Sequence, residues 1–200
     1  MATRKGAETR LRIVEAAAAE IRERGTTATT LDDICRRSGT GKGQLFHYFP
    51  EGREQLLLAV AESEARRVFE DQQPYLGELT SRAAWEAWRD LVVGLYRDQG
   101  QHCPLGVLIS DVGRYSPAAQ AVSAQLVRRW QECVRAGVEA TQAAGEADPA
   151  LDPDRTAAAV VAAVQGGVTV LLSTGSAEHL EAALNLCLDH LLVPPAAARG

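Results

Sequence analysis

Lys42, Gln44, His47 and Tyr48 stand close together in the stretch CRRSGTGKGQLFHYF, which runs from Cys35 to Phe49. They offer a cation, a side-chain amide, an imidazole and a phenol. The same stretch holds three glycines, three aromatic residues and four cations counting His47. These groups suit close approach to a polyanion. Ammonium, imidazole and phenol bond phosphate oxygens, a Gln amide makes a bidentate contact with adenine, and Gly41 and Gly43 keep the backbone bare of side chains. Charge points the same way. Residues 1–50 carry nine Lys and Arg against six Asp and Glu, whereas the rest of the chain carries twelve against twenty, within an overall charge of -5. A basic head on an acidic body favours an anionic partner at the N-terminal end. An imbalance of this size also arises as ordinary surface variation, so charge alone does not decide.

Other chemistries find little support. His47, His102, His179 and His190 show no H-E-x-x-H or other metal-ligand spacing, and no G-x-S-x-G, Walker or G-x-G-x-x-G loop is present. The string GTGKG lacks the P-loop spacing. Cys35, Cys103, Cys133 and Cys187 form no CxxC pair and read as buried free thiols. The expectation is a protein without metal, cofactor or catalytic activity. The opening MATRKGAETR lacks the apolar run of a secretory signal, so a cytoplasmic location is expected.

The elements that must position these residues read as all-α. Strand alternation is absent, and alanine-rich segments with helical spacing recur through a chain that is 46% hydrophobic. A first helix is predicted over about Glu8 to Arg24, ended by Gly25. Thr30 and Asp33 have the spacing of a capping box, which places a second helix over Leu31 to Ser38 with its stop at Gly39. A third follows from Lys42 to about Phe49, limited by Pro50. Further helices are predicted over about Arg53–Gln72, Ser81–Gln99, Leu105–Val112, Pro117–Ala144, Asp154–Thr174 and Ala177–Leu191. The division expected is a DNA-binding head at 1–52, a helical body at 53–193 and a disordered tail at 194–200.

Two short helices joined by the turn SGTG have the form of a helix-turn-helix, with the second helix entering the major groove. Leu45 and Phe49 would then face inward onto Ile13, Ala17, Ile34 and Cys35. A helical hairpin with ordinary turn glycines and core aromatics has the same local grammar. The ordered combination I-V-x-A-A-x-x-x-I, then G-x-x-x-T-T-x-D-D-I, then G-x-G-K-G-Q-L-F-H-Y-F-P goes further. Over about Glu8 to Leu58 it resembles the DNA-binding domain of TetR-family transcriptional regulators. The resemblance implies a homodimeric one-component regulator, most often a repressor released from a pseudo-palindromic double-stranded DNA operator by a small ligand. Carried over by position, Thr30, Thr40, Lys42, Gly43, Gln44, His47 and Tyr48 would face DNA. Gly41 stands where the family usually has a Ser N-cap, and Phe46 replaces a common Tyr. FPEGRE is one residue longer than the usual F-P-S-K-E, which leaves open whether Arg53 reaches phosphate. A ligand-binding bundle whose head docks on a protein is the competing reading.

In the body, Thr156 to Ala177 carries no charge at all. A helix apolar all round is expected to be buried on all sides, and Gln165 with the Gly166–Gly167 pair argues against a membrane span. One face of this helix is expected to meet the pocket and the other a partner subunit, with Leu180, Leu184, Cys187, Leu188 and Leu191 of the following helix completing a four-helix dimer interface; the central helix of a monomeric bundle is the competing reading. Trp85, Trp88, Cys103, Leu108, Trp130 and Gln165 are the candidate lining of a pocket for an apolar or aromatic effector, and each tryptophan has plain core as its competing role.

Overall fold

Helix boundaries follow local chemistry closely. Thr30 caps its helix reciprocally: its hydroxyl accepts from the Asp33 N–H at 3.2 Å, and the Asp33 carboxylate accepts from the Thr30 N–H at 3.1 Å. Gly39 closes the same helix with φ 65°, a left-handed conformation that glycine adopts without strain. Ser81 and Asp152 cap two further helices by accepting from Ala84 N–H and Arg155 N–H, and Pro153 fills the first turn after Asp152.

A computed structural model describes residues 4–100 and 117–192. In chain order these hold α1 (Arg4–Ala28), α2 (Leu31–Ser38), α3 (Lys42–Tyr48), α4 (Arg53–Glu70), a 3-10 turn at Tyr75–Gly77, α5 (Arg82–Gln99), α6 (Pro117–Ala143), α7 (Pro153–Thr174) and α8 (Glu178–Leu191). Among the described residues the chain is all-α, apart from one antiparallel bridge between Ala147 and Leu192. The helix predicted at Leu105–Val112 and the tail at 194–200 lie outside the described residues. The first helix is longer than predicted at both ends. Arg4 pairs with Glu8 at 3.1 Å and the Thr9 hydroxyl donates to Lys5 O, which extends its first turn. Gly25, with φ 76° and ψ 162°, breaks the geometry, but a helical turn resumes to Ala28.

The chain separates into two compact units. The first holds 4–68 and 117–125 of the described residues, and the second holds 69–100 and 126–192. In the first unit Ile13, Ala17 and Ile21 of α1, Ile34 and Cys35 of α2, and Leu45 and Phe49 around α3 are all buried. The predicted inward residues therefore form one core under α2 and α3.

In the second unit Trp85 and Trp88 of α5 meet edge to face with ring centroids 5.9 Å apart. Two helical glycines allow close approach of neighbouring segments. A Cβ at Gly137 would lie 2.6 Å from Leu79 Cβ, and one at Gly167 would lie 2.5 Å from Leu180 Cα.

The uncharged helix α7 is not buried on all sides by its own chain, and a face stays open as expected of a helix assigned to a dimer interface. It is long and apolar enough to cross a membrane by composition, with mean hydropathy 1.7, but only one of its faces is buried within the chain. Ala157, Val160, Val164, Val168 and Leu171 point inward, while Ala158, Ala162, Gly166, Thr169 and Ser173 form an exposed stripe of small residues. Within one chain α8 covers one side of α7 and leaves the other open. The leucines of α8 differ from expectation. Leu180, Leu184, Leu188 and Leu191 recur at helical spacing on the inward face and are buried in their own unit. Leu186, at 70% exposure, is a large apolar side chain that α8 exposes among charged and polar residues such as Glu181, Asp189 and His190, with Cys187 half-buried.

Candidate nucleic-acid interface

The turn between α2 and α3 is held from several directions. Thr40 N–H donates to Cys35 O at 3.0 Å, and Arg12 of α1 donates its Nε to Ser38 O at 2.9 Å. Burial of Leu45 and Phe49 seats the far end of α3, and the Arg10 guanidinium lies over the Phe49 ring, 5.1 Å from its centroid. With one side of α3 fixed this way, Lys42, Gly43, Gln44 and His47 are exposed together on the other, and Tyr48 is half-buried beside His47 with ring centroids 5.0 Å apart. Phe46 is 45% exposed, a large aromatic surface on the same short helix.

The glycines here have distinct reasons. Gly39 is required by its positive φ. Gly41 and Gly43 are not: their φ values lie outside the left-handed region, and a Cβ added at either would meet nothing within 4 Å. The fold therefore tolerates side chains at both positions, and what the glycines provide is an open backbone on the exposed side.

Two residues expected at this face are placed otherwise. Thr40 is buried, and its hydroxyl lies 2.7 Å from Ser38 Oγ, so its side chain shapes the turn. Thr30 is exposed, but its hydroxyl is engaged in the capping box with Asp33. Hydrogen bonds from the Thr30 hydroxyl and N–H, then from Arg36, hold the Asp33 carboxyl down to about 2. With a folded pKa below the unfolded one, this cap's contribution is present at neutral pH and is lost as pH falls through about 2.

Electrostatics in the first unit are organised by pairs that the sequence does not announce. Arg37 bridges Glu20 at 3.2 Å and Glu23 at 2.6 Å, which ties α2 to α1. Arg22 of α1 meets Glu64 of α4 at 2.7 Å, with the glutamate side chain 3% exposed. Lys42 Nζ lies 2.9 Å from Asp32 Oδ1. Arg53 is turned inward, its guanidinium donating to the carbonyls of Thr29, at 2.7 Å, and Thr26. Arg53 thus clamps the last turn of α1 and the α1–α2 link to the start of α4. Arg53→Ala is expected to lower stability by about 2 kcal/mol, the worth of charged hydrogen bonds to backbone carbonyls. Its effect on binding to DNA should be uniform, with no change in salt slope. Urea unfolding and a salt series check both, and a flattened slope would show that Arg53 contacts phosphate.

The candidate ligand residues are placed only in part. Trp85, Trp88 and Trp130 are fully buried. The Trp85 indole N–H donates to Thr141 Oγ1 at 2.9 Å and that of Trp88 to Gln72 Oε1 at 3.0 Å, while that of Trp130 has no partner among the described residues. Trp85 and Trp88 are therefore satisfied as core. Gln165 is half-buried on α7, and Cys103 and Leu108 lie outside the described residues. A cavity of about 380 Å³ opens elsewhere, lined by Leu151, Arg155, Ala159, Cys187 and His190, away from the tryptophans in sequence and on the outward side of α7 and α8. Burial raises the Cys187 thiol above its ordinary value. Among the described residues no group of three His, Cys, Asp or Glu side chains is placed to hold a metal ion.

Comparison with known proteins agrees with this geometry. The family described as bacterial regulatory proteins, tetR family, matches residues 13–60, and the tetracyclin repressor-like C-terminal domain matches residues 81–187. An uncharacterized HTH-type transcriptional regulator of Mycobacterium tuberculosis is 52% identical over 48 residues. That similarity covers 24% of this chain and 25% of the relative, so it spans about a quarter of the relative's length. A TetR transcriptional regulator from Chloroflexus aurantiacus has a similar fold, with TM-score 0.78 and 27% identity over 96% of this chain and 100% of its own. A transcriptional regulator from Saccharomonospora viridis, solved in complex with choline, shares the fold with TM-score 0.77 and 22% identity, over 94% of this chain and 100% of its own. With one family description fitting the helix-turn-helix and its first supporting helices, and the other more than half of the chain, this protein belongs to the TetR family of regulatory proteins.

Proposed function

We propose that the chain is a one-component transcriptional regulator that binds a pseudo-palindromic operator as a homodimer, represses from it, and is released by a small apolar or aromatic ligand. The observation that carries the DNA-binding part is the short helix α3. It exposes Lys42, Gln44 and His47 on one side while Leu45 and Phe49 anchor the other, and Gly41 and Gly43 leave open backbone that the fold does not need. A helix so presented fits the major groove, where phosphate contacts position and a Gln amide reads adenine. Support for the homodimer is the uncharged stripe of small residues exposed on α7, together with exposed Leu186 on α8, which a second copy would cover. Two heads must match half-sites about 34–36 Å apart or a multiple. A ligand favouring a different head spacing would release DNA by its differential affinity for the two shapes. The choline complex of the Saccharomonospora viridis neighbour supports a small-molecule site in this fold, and the orphan indole N–H of Trp130 supports an effector carrying a hydrogen-bond acceptor.

The test is fluorescence anisotropy with the DNA upstream of the protein's own gene and with a randomised duplex library, across a salt series. Tight, salt-sensitive binding at two protomers per site is expected. Lys42→Ala should weaken binding to every duplex and reduce the salt slope by about one, and Gln44→Ala should relax preference at one base position by roughly tenfold. Identical behaviour of the two variants would overturn this division of roles. No binding to any duplex at low salt would overturn the DNA reading in favour of a protein-docking head.

A further inference from the structure

Lys42 enters any DNA complex already paired. Its Nζ lies 2.9 Å from Asp32 Oδ1, a residue of the first turn of α2, and both side chains remain mostly exposed, at 64% and 61%. The fold does not need this pair. Gly39, the Thr40-to-Cys35 hydrogen bond, Arg12 on Ser38 O, and the burial of Leu45 and Phe49 already fix α2 against α3. Exposed pairs of this kind contribute little to stability. The neighbouring carboxylate does not share the task, because Asp33 is taken up by Thr30 and by Arg36 at 2.9 Å. Asp32 is thus an acceptor held on the cation that α3 presents outward.

Building on the DNA-binding reading, we propose that Asp32 sets the affinity of this head by competing with DNA phosphate for Lys42. A phosphate reaching Lys42 must displace the Asp32 carboxylate or lie beside it, and in either case the carboxylate's charge opposes the complex. Because the competition is for a phosphate contact, it lowers affinity for every sequence and leaves base discrimination by Gln44 untouched. Displaced Asp32 takes up a solvent cation, which offsets part of the counterion release that drives association.

The experiment measures wild type, Asp32→Asn, Lys42→Ala and the double variant by anisotropy on a random-sequence duplex and on the gene's upstream DNA, from low to moderate salt. Helical circular dichroism confirms that each variant is folded. Asp32→Asn is expected to tighten binding about threefold on both duplexes, the scale of an exposed ion pair, and to steepen the salt slope by up to about one. In the Lys42→Ala background the same substitution should give a clearly smaller gain. Unchanged or weakened binding by Asp32→Asn would overturn the proposal, the latter by showing that Asp32 positions Lys42. An equal gain in both backgrounds would also overturn it, since the carboxylate would then act only through general repulsion. Wild type that binds no duplex at low salt would overturn the DNA reading as well, whereas wild-type binding with a flat Asp32→Asn response removes the competition alone.

Discussion

Glu64→Ala is expected to lower the stability of the first unit by about 3 kcal/mol, because it leaves Arg22 without its partner in a largely buried setting. Arg22 Nη1 lies 2.7 Å from Glu64 Oε2, and the two side chains are 18% and 3% exposed. Removing one member of a buried pair costs far more than the pair's net worth, since the remaining charge keeps its desolvation penalty. The residual exposure of Arg22 lets its guanidinium turn toward water, which places the cost at the lower end of the usual range. A double variant, Arg22→Met with Glu64→Leu, removes both charges and should recover most of the loss. Urea unfolding followed by circular dichroism reads the difference as a shift in midpoint at constant slope. A loss below about 1 kcal/mol in Glu64→Ala would show that the pair behaves as an exposed one. The substitution should also weaken DNA binding evenly across sequences, because α1 carries the core on which Leu45 and Phe49 seat α3.

That pair marks where the sequence stops being legible. The local features were readable in advance: the Thr30–Asp33 box, the stop at Gly39, the inward placement of Leu45 and Phe49, and the exposure of Lys42, Gln44 and His47 all follow from spacings of a few residues. Caps and turns are decided within one or two helical turns, so their chemistry is written in order. Charge pairing is different. Arg22 and Glu64 are 42 positions apart, Lys42 and Asp32 sit across a turn, and Arg53 selects the carbonyls of Thr26 and Thr29 instead of an anion. Each partner is chosen by how the helices meet, which no periodicity records. The tryptophans show the same limit from the apolar side. Plain core was the competing role to pocket lining, and the hydrogen bonds that make Trp85 and Trp88 core, to Thr141 and Gln72, come from residues 56 and 16 positions away. For α7, hydropathy called for burial all round, while the chain itself covers one face only. Composition measures how much surface should be covered and is silent on whether the cover comes from the same chain.

Gly167→Ala is expected to destabilise the second unit by about 3 kcal/mol, the larger end of overpacking costs, even though alanine is the better helix former by about 1 kcal/mol. The reason is where the new methyl would fall: 2.5 Å from Leu180 Cα, 2.8 Å from its Cβ and 2.9 Å from its Cδ1. The last contact can be relieved by a rotamer change, but the first cannot, because a backbone atom of α8 moves only if the helix moves. Separating α7 from α8 would open the layer formed by Val160, Val164, Leu184 and Leu188, all buried here. Two comparisons isolate this cause. Gly94→Ala, in α5, places its Cβ in open space and should be neutral or slightly stabilising. Adding Leu180→Ala to Gly167→Ala should give no rescue, since alanine retains the Cα and Cβ that make the two shortest contacts. Thermal unfolding of the three variants decides the matter: rescue by Leu180→Ala would mean that the leucine side chain, and not the approach of the helix backbones, sets the requirement for glycine at this position.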